Sequence, residues 1–157
     1  MSVVLDRVLK SEEETALFAR TLAKWIVKAD LLNCKLYLEG NLGAGKTTFS
    51  RYFIQAFGVK GAVKSPTYTL IEPYELEDRT ILHADLYRLA SPIELFDLGL
   101  LEEDGIWLIE WPEKGEGVLP AADLVLQLRR EGETLTIHIQ SYTTIGDTLL
   151  TSVSADC

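Results

Sequence analysis

The sequence has little cysteine, no long apolar run and a deficit of positive charge. Its cysteines are Cys34 and Cys157, so we predict plain thiols and neither a disulfide framework nor a metal cluster. No run of about 18 apolar residues and no secretory-type leader occurs, which predicts no membrane association and a cytoplasmic location. The formal net charge of −9 argues against a large nucleic-acid surface, but leaves open action within a complex that handles RNA.

The bulk composition is that of an ordinary globular protein. The chain has 157 residues, of which 47% are hydrophobic and 25% charged, and a chain of this length buries a substantial core. It contains no internal repeat and no low-complexity segment. We therefore expect a single domain over residues 1–157.

The most informative segment is the octapeptide GNLGAGKT from Gly40 to Thr47. It matches the phosphate-binding pattern G-x-x-x-x-G-K-[ST] at every fixed position. The alternating run 35–38 precedes it, and apolar residues at helical spacing follow it over 48–57, as a strand-loop-helix unit requires. Glycines allow backbone N–H groups to surround phosphate oxygens at a helix N-terminus. Lys46 is then predicted to contact the β and γ phosphates, and the Thr47 hydroxyl to ligate Mg²⁺; the alternative is an ordinary glycine-rich turn.

Periodicity and capping signals elsewhere predict an α/β protein. The expected elements are a helix over 11–29, a hairpin of strands 69–76 and 79–86, a short helix over 91–98, a buried strand over 106–109, and a hairpin of strands 124–128 and 134–139. Together they predict a P-loop NTPase fold, in which a mixed sheet with a parallel centre carries antiparallel hairpin additions and helices on both faces.

Two acidic residues follow predicted strands, as a magnesium-dependent P-loop enzyme requires. They are Asp85 and Glu110, and we predict that at least one of them is functional. Spacing does not decide which one contacts the metal. The hydroxyl-rich segment 65–69 suits a loop that senses the γ-phosphate, with a simple turn before a strand as the alternative.

Two further residues are ambiguous from composition. Trp111 could stack on a base, but an isolated tryptophan beside a strand end more often packs in the core. His83 lies in an apolar run, so we predict a core histidine and not a catalyst.

Five segments of the chain resemble the TsaE (YjeE) family, the small ATPases of bacterial threonylcarbamoyladenosine tRNA modification. They are LEGNLGAGKTTFSRYF, VKSPTYTLIEPY, HADLYRL, ELFDLGL and LIEWPEKGEGVLP, and the match runs from about Leu36 to Pro120. The resemblance implies an ATPase, slow alone, that works with the TsaB and TsaD proteins. That machinery modifies the adenosine next to the anticodon, so contact with tRNA would be indirect, through the complex.

The resemblance also implies roles for individual residues, with ATP and Mg²⁺ as cofactors. Lys46, Asp85 and Glu110 are implied as catalytic, Asp85 by acting on the metal's water or on the attacking water, and Thr47 and Glu110 as metal-binding. Trp111 falls at a position credited with adenine stacking, which reverses the preference for core. The residues so implied in nucleotide binding are Glu12, Gly43, Ala44, Gly45, Lys46, Thr47, Thr48, Thr67 in a switch-like loop, Trp111 and Gly132.

Two departures from the family pattern are visible. Asn41 stands where an aspartate is usual, which removes a negative charge near the phosphates. Ala84 stands where an aromatic is usual, which is expected to change only local packing.

Other functions remain open at this level. A small P-loop kinase would usually have an arginine-rich lid, and no arginine-rich insertion follows the loop. A GTPase is disfavoured because neither N-K-x-D nor a following D-x-x-G occurs. A non-hydrolytic, ATP-gated adaptor uses the same binding residues and is not separated from an ATPase by sequence.

Overall fold

The protein is built around one mixed β-sheet. The computed structural model describes residues 2–63, 66 and 69–156. In chain order, the strands are β1 (Val4–Leu9), β2 (Cys34–Glu39), β3 (Ile71–Glu75), β4 (Thr80–Asp85), β5 (Ile106–Glu110), β6 (Leu124–Glu131) and β7 (Thr134–Ser141). The helices are α1 (Glu12–Lys28), α2 (Lys46–Ala56), α3 (Leu95–Leu98) and α4 (Thr144–Asp156), with 3₁₀ turns at Pro92–Glu94, Leu100–Glu102 and Pro112–Gly115.

The sheet has the order β1-β7-β6-β2-β5-β4-β3. At its centre β2 pairs in parallel with both β5 and β6, and β4 pairs in parallel with β5. The hairpins β3–β4 and β6–β7 are antiparallel, and β1 adds antiparallel to β7. The predicted fold class is thus confirmed. Because β2, β4 and β5 are parallel, their carboxyl ends meet at one edge of the sheet, where ligands bind in open α/β folds.

Apolar residues cover both faces of the sheet. Alternate residues of a strand point to opposite faces, so Leu36 and Leu38 of β2 pack in a cluster with α1, α2 and α4, whereas Tyr37 packs in a second cluster with α3 and its neighbouring turns. Every residue of β5 is buried, as expected of a central strand covered on two sides.

The predicted helices and hairpins are present, with shifted ends. Helix α1 begins after Ser11, whose side chain accepts a hydrogen bond from the Glu14 backbone N–H as the capping box predicts. The short helix predicted over 91–98 is a 3₁₀ turn followed by α3. None of the helices in the described part of the chain has the length and apolar character needed to span a bilayer.

Two elements were missed. Strand β1 is an edge strand whose partner, β7, lies about 130 residues further along the chain, so its pairing has no local signal. Helix α4 contains several Thr and Ser residues and one Gly, which have modest to low helix propensity. It forms because Leu149, Leu150 and Val153 are buried in the core.

Candidate functional site

The glycine loop lies between the carboxyl end of β2 and the start of α2. Gly45 caps α2 with φ at 101°, and no side chain caps the first turn of the helix. A Cβ atom on Gly45 would lie 2.9 Å from the guanidinium of Arg130, and one on Gly40 would lie 2.7 Å from the Leu128 carbonyl oxygen. The close approach to backbone therefore requires glycine at position 40, and the left-handed conformation favours it at position 45. Backbone N–H groups at such a helix N-terminus favour an anion.

A cavity of about 610 Å³ opens beside this loop and brings most of the predicted residues together. Residues 43–48, Asp85, Glu110, Trp111 and Glu12 all line it. Residues far apart in sequence thus meet at one place, the edge of the sheet where the parallel strands end.

One predicted residue, Gly132, is not in this lining. Gly132 stands in the β6–β7 turn with φ at 63°, and its neighbours Arg130 and Glu133 line the cavity instead. Thr67 lies outside the described residues, so the predicted switch loop stays a prediction.

Lys46 is the first residue of α2 and is only 5% exposed. Its ammonium group donates a hydrogen bond to the Gly40 carbonyl oxygen. The same group lies 3.4 Å from the centroid of the Trp111 ring. Burial lowers the pKa of Lys46, and the negative charges of Glu110, Glu113 and Asp85 partly oppose that shift. The cation is therefore poorly hydrated and lies in the field of the acids, and poor hydration strengthens its interaction with any neighbouring negative charge.

The two predicted acids stand side by side. Asp85 ends β4, Glu110 ends β5, and the two are register partners in the parallel ladder. Asp85 is partly exposed and accepts a hydrogen bond of 3.0 Å from the Tyr87 backbone N–H. Burial is the main cause that raises the pKa of Asp85, and the neighbouring Glu110 charge adds to it. Asp85 is therefore a better proton acceptor than an exposed aspartate.

Glu110 is far more buried, at 2% exposure. Its Oε2 atom lies 2.6 Å from His83 Nε2 and 3.3 Å from Ser50 Oγ. His83 is 1% exposed, which confirms that it is a core residue. Its hydrogen-bond partner, however, is the carboxylate of Glu110, which lines the cavity.

Trp111 is half-buried, with one part in the core and another on the cavity. It packs against the second apolar cluster, and its ring centroid lies 4.9 Å from that of Tyr87. Its backbone is left-handed, with φ at 58°, which is uncommon for a bulky residue and turns the chain after β5. Adenine stacking on this ring stays a prediction.

The start of α1 forms another wall. The Glu12 carboxylate accepts hydrogen bonds from the Tyr52 hydroxyl at 2.6 Å and from Arg51 at 3.1 Å. The Tyr52 hydrogen bond, with the charges of Arg51 and Arg130, lowers the pKa of Glu12. Through these hydrogen bonds Glu12 links α1 to α2, the helix that begins with Lys46.

Sequence reasoning missed Arg130. Its guanidinium lies against Gly45 and faces the cavity, whereas Arg129 is 77% exposed and pairs with Glu131 at 2.6 Å. Adjacent strand residues point to opposite faces, and Arg130 lies on the same face of β6 as Leu124, Leu126 and Leu128, which pack with α1 and α2. The alternation of these leucines is the sequence signal that could have identified Arg130.

Within the described ranges, no group of three or more His, Cys, Asp and Glu residues is arranged to hold a metal ion.

Comparison with known proteins gives a consistent result. The family model described as "Threonylcarbamoyl adenosine biosynthesis protein TsaE" matches residues 9–139. The chain is 44% identical over 122 residues to the tRNA threonylcarbamoyladenosine biosynthesis protein TsaE of Haemophilus influenzae, which covers 76% of this chain and 77% of the relative. It is 38% identical over 124 residues to the protein of the same name from Bacillus subtilis, covering 77% and 75% respectively.

A solved structure gives the same result for the fold. The crystal structure of Bacillus subtilis YdiB superposes with a TM-score of 0.79 and 28% sequence identity, over 99% of this chain and 97% of that chain.

Proposed function

Because the chain belongs to the TsaE family, we propose that it binds ATP with Mg²⁺ and hydrolyses it for tRNA threonylcarbamoyladenosine biosynthesis. The observation that carries the proposal is the cavity in which the uncapped start of α2, Lys46, Asp85 and Glu110 meet. A cation, a helix N-terminus and two carboxylates are the parts that nucleoside triphosphate hydrolysis needs at one place.

Phosphate binding follows from the loop and from Lys46. The backbone N–H groups of residues 43–48 surround the β-phosphate, and the ammonium of Lys46 leaves Gly40 and Trp111 to contact the β and γ phosphates. This exchange is favourable because a phosphate oxygen carries more negative charge than a carbonyl oxygen or a ring face. Arg130 adds a second cation from the β6–β7 hairpin.

The oxygen atoms available suit Mg²⁺. The Thr47 hydroxyl and the Glu110 carboxylate are hard ligands of the type that this ion prefers, and Mg²⁺ commonly takes its remaining ligands from phosphates and water. When bound, the ion neutralises charge that develops on the phosphate oxygens. Thr47 and Glu110 would hold it.

Asp85 is assigned to the attacking water. Its carboxylate stands beside Glu110 at the cavity, accepts one backbone hydrogen bond and has a raised pKa. It would accept a hydrogen bond from the water that attacks the γ-phosphorus, with ADP as the leaving group. A raised pKa favours that role because it brings the basicity of the group closer to the operating pH.

The proposal places this ATPase with the TsaB and TsaD proteins in the cytoplasm. The net charge of −9 does not favour direct binding of an RNA backbone. The chain would therefore act on tRNA indirectly, by resetting or activating the complex through ATP turnover.

ATP turnover by the purified protein, alone and with TsaB and TsaD, tests the proposal. We expect slow turnover alone and a clear rise with the partners, together with formation of the modified nucleoside in a reconstituted assay. Lys46→Ala should abolish turnover, and the control Lys60→Ala, at an exposed loop position, should not. Equal rates with and without partners, or activity retained by Lys46→Ala, would contradict it. Undiminished modification with a non-hydrolysable ATP analogue would instead favour the adaptor.

A further inference from the structure

The side chain of His83 is buried in the sheet next to the site but does not line the cavity. It lies on β4, is 1% exposed, and its Nε2 atom is 2.6 Å from Oε2 of Glu110. Glu110 is itself 2% exposed. A buried ring and a buried carboxylate thus form one hydrogen-bonded pair directly behind the cavity.

The direction of this hydrogen bond follows from the chemistry of the two groups. A carboxylate that binds a metal ion is ionised and only accepts hydrogen bonds, so with Mg²⁺ on Glu110 the Nε2 atom of His83 carries a proton and donates a hydrogen bond to Oε2. The Nδ1 atom has no hydrogen-bond partner among the described residues. Leaving a buried polar atom unpaired costs about 1–3 kcal/mol, and an apolar residue would avoid that cost. The bond to Glu110 is therefore what distinguishes histidine from an apolar residue at this position.

Ser50 does not replace that bond. Its hydroxyl has one proton and lies 2.7 Å from the Lys46 carbonyl oxygen but 3.3 Å from Oε2 of Glu110. The shorter contact takes the proton. His83 is thus the principal donor to Oε2. Among the described residues no side chain or backbone group donates a hydrogen bond to Oε1, which leaves Oε1 as the Glu110 oxygen for a ligand in the cavity.

We infer that His83 is a positioning residue, which orients the Glu110 carboxylate toward the magnesium ion of the bound nucleotide through its Nε2–H donor. The inference rests on the proposed function, because it takes Glu110 as the carboxylate on the metal side. Removing a hydrogen-bond partner that orients a metal-binding group typically lowers metal affinity or activity about 10-fold to 100-fold.

Three substitutions separate this role from a merely structural one. His83→Gln keeps an N–H donor at about the reach of Nε2, His83→Asn keeps a polar amide that is too short, and His83→Leu removes the donor. ADP binding is measured by calorimetry, with Mg²⁺ and with EDTA. Thermal unfolding is recorded for each variant.

With EDTA, we expect all three variants to bind ADP like the wild type, because His83 does not touch the nucleotide cavity. With Mg²⁺, His83→Leu and His83→Asn should lose the gain in ADP affinity that the metal gives. For half-maximal ATP turnover, both should need a Mg²⁺ concentration about 10-fold or more above that of the wild type. His83→Gln should retain most of both.

Two results would overturn the inference. One is a gain in ADP affinity on adding Mg²⁺ that is as large in His83→Asn as in the wild type. This result would overturn the inference even if His83→Leu does not fold. The other is a loss in His83→Gln as large as in His83→Asn. Failure of the proposed function looks different, since the wild-type protein itself would then show no ATP turnover with TsaB and TsaD.

Discussion

The ammonium nitrogen of Lys46 lies 3.4 Å from the centroid of the Trp111 ring. A desolvated cation–π contact of this kind is worth about 2 kcal/mol. The face of the ring that Lys46 covers is closed to a base while the contact lasts. A nucleotide that draws Lys46 onto its phosphates therefore also changes the surroundings of Trp111.

This relationship predicts that phosphate alone changes the fluorescence of Trp111. Tripolyphosphate should alter the tryptophan emission, because Lys46 leaves the ring for the more negative ligand. ATP should then add a further change if adenine stacks on the ring. The measurement is a fluorescence titration with each ligand.

Trp111→Phe is the control for that titration. It retains Trp25 and Trp107, and both ligands should leave its emission unchanged. A wild-type signal with ATP but none with tripolyphosphate would contradict displacement of Lys46 and leave base stacking as the cause.

A second prediction concerns Arg130, whose guanidinium lies against Gly45. Arg130→Gln should weaken ATP binding about 10-fold or more, since a hydrogen bond to a charged group contributes about 1.5–3 kcal/mol. Calorimetric titration measures the change. The neighbouring Arg129→Gln is a matched control, because that side chain is 77% exposed and pairs with Glu131. An equal loss of ATP affinity in the two variants would mean that the net charge of the protein, and not the position of Arg130, determines the effect.

A third prediction follows from the raised pKa of Asp85. In the folded protein the pKa of Asp85 is raised above the ordinary aspartate value, mainly by burial, so this group holds its proton to a higher pH than it would in the unfolded chain. Its contribution to stability is therefore present at acid pH and is lost as pH rises through the folded pKa. Asp85→Asn should accordingly unfold at a higher temperature than the wild type at pH 7, and the advantage should shrink toward pH 4.

Thermal unfolding at several pH values without nucleotide tests this sign, with Asp97→Asn on the exposed side of α3 as the control. Asp85→Asn should at the same time lose ATP turnover. An advantage that grows toward acid pH would show that the environment of Asp85 is not as described.

A fourth prediction concerns stability at Gly146 in α4. Gly-to-Ala within a helix usually stabilises by about 1 kcal/mol. Here a Cβ atom would lie 2.1 Å from the Asp123 carbonyl oxygen, so Gly146→Ala should destabilise the protein by about 1–3 kcal/mol. Denaturant unfolding gives the difference. Thr148→Ala, exposed on the same helix, should be neutral or slightly stabilising.

Much of the fold was predictable because its signals are local. The glycine loop, the capping box at Ser11 and the alternation in the hairpins each depend on residues that are close in sequence. Strand β1 and helix α4 were missed because neither has a strong local signal, and each is held by residues distant in the chain.

The residues of the candidate site also fall into two groups, those that the sequence identified and those that it did not. Lys46, Thr47, Asp85 and Glu110 were identifiable from motif and strand ends, and the structure brings all four to one cavity. The contact of Arg130 with Gly45 and the hydrogen bond from His83 to Glu110 were not, because they depend on the register of β6 beside β2 and of β4 beside β5.

By itself, the sequence predicted a phosphate-containing ligand, the loop that would bind it, and most of the strands and helices, since short-range patterns encode backbone conformation. The tertiary structure alone decided which residues surround that loop: Trp111 over Lys46, Arg130 against Gly45, and His83 behind Glu110. The physical reason is that sheet register and helix packing are set by burial of the whole core, and that burial fixes which distant side chains meet.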